Sequence, residues 1–155
     1  MAYFSQTDLE RAIGVSLVLR LLDDDNDGVV DASALGDLIE DADAEVNGYV
    51  SALFSVDTLA ANPPPAIRRL AVDVGVQLAY LRRPEFIDER GQTPWQGRYD
   101  RAVKRLREVS KGEFRLDVNG TPAQPANVRG AGLYTSEGRA DLSDQGFVKG
   151  GSGDF

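Results

Sequence analysis

The sequence predicts a mainly α protein: a small bundle of four to five helices followed by a long extended C-terminal arm. Three observations carry that expectation. Apolar residues recur at intervals of three and four across 32–53, the pattern of a helix with one buried stripe. Residues 66–83 are apolar on most sides, as in a helix surrounded by others. Beyond Leu116 the periodicity stops, and residues 117–155 hold 8 glycines and few large apolar side chains.

The elements follow in chain order. Residues 5–13 form a first short helix, with Thr7 and Glu10 at capping-box spacing and Gly14 placed to end it. Residues 17–22, after Ser16 as N-cap, are mostly leucine and valine and read as a buried helix, although so short a run also suits a strand. The helix over 32–53 buries Leu35, Leu38, Ile39, Ala42, Val46, Tyr49, Val50 and Leu53, and turns Asp37, Glu40, Asp41, Asp43 and Glu45 outward. Pro63, Pro64 and Pro65 make a stiff link whose last residue suits a first helical turn. The helix over 66–83 is then the centre of the bundle, with Arg68, Arg69, Asp73 and Gln77 as its polar stripe. Thr93 caps and Pro94 opens a last helix over 95–111, stopped by Gly112. Its buried face is Trp95, Tyr99, Ala102, Val103, Leu106 and Val109, and Arg98, Arg101, Lys104, Arg105, Arg107 and Lys111 make the rest basic.

At 155 residues the chain is sized for one domain, 1–116, plus an arm, 117–155. No apolar run is long enough to span a membrane, and the N-terminus lacks a signal-peptide pattern. The sequence has no cysteine and no histidine. Disulfides and thiolate chemistry are thereby excluded, and the usual general base and usual transition-metal ligand are missing. A net charge of −8 argues against a surface built mainly for DNA. That charge is unevenly spread. Residues 1–62 hold 13 acids against 2 bases, and residues 63–116 hold 12 bases against 7 acids. Such a molecule can pair head to tail with copies of itself, or keep two solvated faces. The basic helix over 95–111 can likewise meet the acidic helix over 32–53 within one subunit or across two.

Between the second and third helices lies the run Asp-Asp-Asp-Asn-Asp-Gly-Val-Val-Asp, residues 23–31. Asp23, Asp25, Asp27, Gly28 and Asp31 match positions 1, 3, 5, 6 and 9 of an EF-hand calcium loop, and the Val29 carbonyl adds a ligand at position 7. Alternate carboxylates in a tight turn converge on one hard cation. Position 12, normally a bidentate glutamate, is Ala34. A calcium ion here needs water to complete its shell. The other reading is a solvated turn in which Asp31 caps the next helix.

The order of these features resembles the small head–tail connector proteins of Mu-like tailed phages. The resemblance covers residues 3–112. It rests on Tyr3-Phe4-Ser-Gln-Thr-Asp-Leu-Glu-Arg11, a short helix ending near Gly14, the Asp-rich loop, the helix over 32–49, and Pro64-Pro65-Ala-Ile-Arg-Arg-Leu-Ala-Val-Asp73. Residues 85–96 and the glycine-rich tail depart from the pattern. The resemblance implies a structural virion protein of the neck, assembled in the host cytoplasm as a homo-oligomeric ring of about twelve copies between portal and tail. It implies contacts with the portal protein and the next neck or tail component, DNA passing through without sequence-specific binding, no membrane, no required cofactor and no catalysis. The expected contact residues are Asp37, Glu40 and Asp41 on the acidic side and Arg98, Arg101, Lys104 and Arg105 on the basic side. Tyr134, Phe147 and Phe155 are anchors on the arm, which suits strand addition to a partner or wrapping around one.

Three other classes compete. A calcium-binding regulatory domain calls for a full ligand set and a paired second loop. A metal-dependent nuclease calls for lysine or histidine beside the carboxylates, and the loop has neither. A nucleic-acid binder using the helix over 95–111 would lose affinity steeply with salt.

Overall fold

A computed structural model of the chain describes residues 2–114, 116–118 and 121–122. Within them are six α-helices: α1 (Gln6–Ile13), α2 (Val15–Leu22), α3 (Ala32–Val50), α4 (Val56–Ala61), α5 (Pro65–Leu81) and α6 (Gln96–Ser110). A 3-10 turn, Pro84–Phe86, follows α5, and two-residue strands β1 (Asp117–Val118) and β2 (Thr121–Pro122) pair antiparallel. The class is mainly α, with one helix more than the four to five expected. The extra one is α4. Six residues are too few to show a periodicity, yet Ser55 stands at its N-cap and Leu59 is fully buried. Burial of one leucine contributes about 1.5–3 kcal/mol, enough to hold a single turn and a half against the core.

The helix starts differ from expectation at α6, which opens at Gln96 with Trp95 and not Thr93 at its N-cap, and at α1 and α2, where each difference has a local cause. The Asp8 carboxylate accepts both the Ser5 amide, at 2.9 Å, and the Ser5 hydroxyl, at 2.8 Å, so the N-terminal box is Ser5–Asp8 rather than Thr7–Glu10. Gly14, at φ 87°, donates to the Glu10 carbonyl and accepts from Val18, so one residue ends α1 and begins α2. The segment 17–22 is therefore helical, and its helix opens at Val15 instead of after Ser16.

Helix α5 is the centre of the bundle. Ile67, Ala71, Val74 and Val76 are fully buried, and the helix packs on α3, α6, α1 and α2. Gly75 lies directly beneath the Phe4 ring, where a Cβ would come within 2.6 Å of Cζ. Tyr3 is tied to α3 at both ends. Its amide donates to Asp43 Oδ1 at 3.2 Å, and its hydroxyl donates to Asn47 Oδ1 at 2.6 Å. Asp43 is thus buried, not solvated with Asp37, Glu40 and Asp41, because it receives the Tyr3 amide from the segment that precedes α1.

The polar stripe of α5 is likewise covered in part. Gln77 accepts the Thr93 hydroxyl at 2.6 Å and donates to Gln96 at 3.0 Å, and Asp73 pairs with Arg98 at 3.3 Å. These contacts form the seam against α6. Burial raises the Asp73 carboxyl above its ordinary range, against the opposing pull of Arg98 and Arg69. Arg68 and Arg69 remain exposed. Leu81, the last residue of the helix, is 47 % exposed.

Candidate assembly surfaces

Two surfaces stand out by their charge. The first is the loop between α2 and α3. Its backbone turns sharply because Asn26, at φ 60°, and Gly28, at φ 85°, both occupy the left-handed region that glycine and asparagine tolerate best. The carboxylates then fold inward onto the loop's own amides. Asp23 accepts the amides of Asp27, at 3.2 Å, and Gly28, at 2.9 Å, and Asp27 accepts that of Val29 at 2.8 Å. Asp31 stands at the N-cap of α3, but its side chain turns back to the Asp24 amide at 2.6 Å instead of capping α3. The capping turn expected from the sequence is corrected accordingly: Asp31 serves the loop.

Oxygens of Asp23, Asp25 and Asp27 lie within 4.8 Å of one another. Asp31 does not join that cluster, and Ala34 offers only a buried methyl where a calcium loop carries its bidentate carboxylate. The amide of Asp27 favours the ionised form of Asp25, but the negative charges of Asp27, Asp31 and Asp23 outweigh it and raise the Asp25 carboxyl. At the tip, Val29 is 64 % exposed, an apolar side chain set among carboxylates.

The loop is held from outside by the end of α5. Arg83 donates through Nε to the Leu21 carbonyl at 3.2 Å, and through its terminal nitrogen to the Asp23 carbonyl at 2.9 Å and Asp24 Oδ1 at 2.8 Å. Arg82 takes the other oxygen of Asp24 at 2.8 Å. A planar guanidinium fork suits such shared recognition in a way an ammonium does not.

The second surface lies between α5 and α6. An open groove of about 790 Å³ is lined by five cations, Arg69, Arg98, Arg101, Lys104 and Arg105. Leu70, Ala102 and Phe114 supply its apolar part, and Asp73 and Glu108 its two acids. Arg98 stacks on Trp95 at 4.4 Å and Arg105 on Phe114 at 5.1 Å. Arg69, Arg101 and Lys104 form no salt bridge with any described residue.

Among the described residues, no salt bridge joins α6 to α3. Their polar tie is the Tyr99 hydroxyl, which donates to Glu45 at 2.8 Å; burial and this carboxylate push the phenol up to about 12. Asp37, Glu40 and Asp41 stay exposed on α3. Of the expected contact residues, the structure brings Arg98, Arg101, Lys104 and Arg105 together in one groove. The arm residues Tyr134, Phe147 and Phe155 lie outside the described residues.

Sequence reasoning missed Asp24, Arg82 and Arg83 as the clamp on the loop, and Arg69, Leu70 and Phe114 as part of the groove. Asp24 carried a usable signal. It occupies position 2 of the loop pattern, between inward-turned carboxylates, so its side chain is free to meet a cation elsewhere.

A family model described as bacteriophage Mu, Gp36 matches residues 3–133, most of the chain. No curated protein matches it.

Proposed function

This chain belongs to the bacteriophage Mu Gp36 family, and on that premise we propose that it is a structural protein of the virion, a connector that forms a ring between portal and tail. One observation supports this reading above the others. Asp37, Glu40 and Asp41 of α3 and Arg101 and Lys104 of α6 stay exposed, and none of the five forms a salt bridge with a described residue. Charge left unpaired in this way suits association between identical copies, where the basic face of one meets an acidic face of the next. The protein then acts by assembly. It carries no catalytic step, meets the portal and the next neck or tail component at its rims, and lets DNA pass through without reading its sequence.

Gold-labelled antibodies raised against residues 1–116 test the location in intact and disrupted particles. Label at the junction of head and tail is expected. Label over the capsid shell or along the tail, or none on any particle, contradicts the connector reading.

One observation favours a second reading, a calcium-holding loop: the convergence of Asp23, Asp25 and Asp27. Three carboxylates without the position-12 glutamate give at best a weak site completed by water. Titration calorimetry with calcium chloride on the full chain decides it. Heat that disappears in Asp25→Asn supports the loop as a calcium site, and its absence at millimolar calcium removes it.

A further inference from the structure

We infer that the acidic loop of one copy seats in the α5–α6 groove of the next, with Val29 on the groove's apolar floor and Asp25 and Asp27 against its cations. The inference rests on the ring reading and specifies its contact.

Four observations converge on it. The groove pairs an apolar floor, Leu70, Ala102 and Phe114, with a cationic rim in which Arg69, Arg101 and Lys104 have no described salt-bridge partner. Its occupant must therefore be acidic and carry an exposed apolar group. Large hydrophobic side chains exposed among the described residues are Val15, Val29 and Leu81, and of these Val29 alone stands within a run of acids. The exposed face of α3 supplies charge through Asp37, Glu40 and Asp41, but the exposed residues that flank them, Gly36, Ala44 and Gly48, offer nothing to fill the floor.

The third observation is rigidity. Internal hydrogen bonds and the Arg82–Arg83 clamp fix the loop before it meets a partner, so little conformational freedom remains to be lost on docking. The fourth is placement. The loop hangs from the C-terminal end of α5, while the groove faces residues 66–73 near its start. At a rise of about 1.5 Å per residue, Leu70 and Arg82 are roughly 18 Å apart along the helix. A loop anchored at one end cannot reach a groove at the other, so the contact is between copies. It is head to tail, the kind that closes into a ring when the rotation permits.

The chain has no cysteine, which makes disulfide trapping clean. The purified full chain carrying Val29→Cys and Arg101→Cys is oxidised at low salt and run without reductant. A ladder of covalent dimers and higher forms is expected. The ladder should be lost when Arg69→Glu and Lys104→Glu are added, and absent from the control Val15→Cys with Arg101→Cys, since Val15 is comparably exposed but stands outside any acidic run. No ladder, an equal ladder in the control, or dimers of the Val29→Cys chain alone overturns the inference. So does salt-sensitive binding of a DNA duplex that Arg69→Glu with Lys104→Glu abolishes while trapping fails, because the groove would then serve phosphates. Failure of trapping with the chain still at the virion neck refutes this contact and leaves the ring reading standing. Trapping by a chain absent from virions does the reverse.

Discussion

Replacing Arg83 by alanine tests whether the loop is fixed by the end of α5. The guanidinium makes three hydrogen bonds, to the Leu21 carbonyl, the Asp23 carbonyl and Asp24 Oδ1, and its side chain is 24 % exposed. Each charge-assisted bond is worth about 1.5–3 kcal/mol at most, but Asp24 is half exposed and the freed carbonyls are reached by water. The net loss should be about 2 kcal/mol, a factor of roughly thirty in the unfolding equilibrium. Arg82→Ala removes one ion pair with Asp24 and one long contact at 3.4 Å to the Ala34 carbonyl, and should cost under about 1 kcal/mol. Arg83→Lys should not restore the loss, because one ammonium cannot span the three acceptors. Urea unfolding gives the energies, and amide exchange at Gly28 and Val29 gives the loop. Faster exchange at both amides in Arg83→Ala, with little change in Arg82→Ala, is the expected pattern. A cost for Arg83→Ala below roughly 0.5 kcal/mol, or equal costs for the two arginines, refutes the clamp.

The remaining predictions concern the core, the tyrosines and the basic face. Gly75→Ala places a Cβ 2.6 Å from the Phe4 ring, and an overpacking cost of about 1–3 kcal/mol should outweigh the gain of about 1 kcal/mol in helix propensity. Adding Phe4→Leu should recover part of the loss in thermal unfolding, and Gly75→Ala at wild-type stability would sink this packing account. Tyr3 and Tyr99 both have phenols raised from 10.0 to about 12, mainly by burial. Between those values the unfolded chain releases protons that the folded chain keeps, so stability is intact below pH 10 and falls as pH rises to about 12. Phenolate absorbance of native protein should show these two tyrosines titrating late; two ordinary midpoints would contradict the burial argument. Arg101→Glu with Arg105→Glu leaves the core untouched, so virus carrying both changes should yield folded subunits but few joined heads and tails in electron micrographs. Normal particles would remove the basic face from the interface.

The helices were legible because their signal is local. The spacing of Leu38, Ala42 and Val46 names the buried face of α3, and Pro65 and Gly112 mark where α5 opens and α6 stops. The sequence could not show which polar residues of those helices would be covered. Asp43 and Asp73 sit at positions that look solvated, and each is buried by a partner far along the chain, Tyr3 in one case and Arg98 in the other. Helix α4 escaped for a different reason, since a six-residue helix shows less than two turns of any pattern. The loop's turn was foreseeable from Gly28, but its clamp was not, because Arg83 and Asp24 are brought together only by the packing of α5 beside the end of α2. The groove belongs to neither helix alone. Arg98, Arg101 and Arg105 recur on one side of α6, and only the crossing of α5 adds Arg69 and Leu70 to them.

Quantitative mass spectrometry of purified virions, counting this chain against the major capsid protein, tests the connector reading most directly. The expected result is about twelve copies per particle, one ring at the portal. Hundreds of copies would make it a tube or decoration protein, and absence from the particle would contradict the connector reading outright.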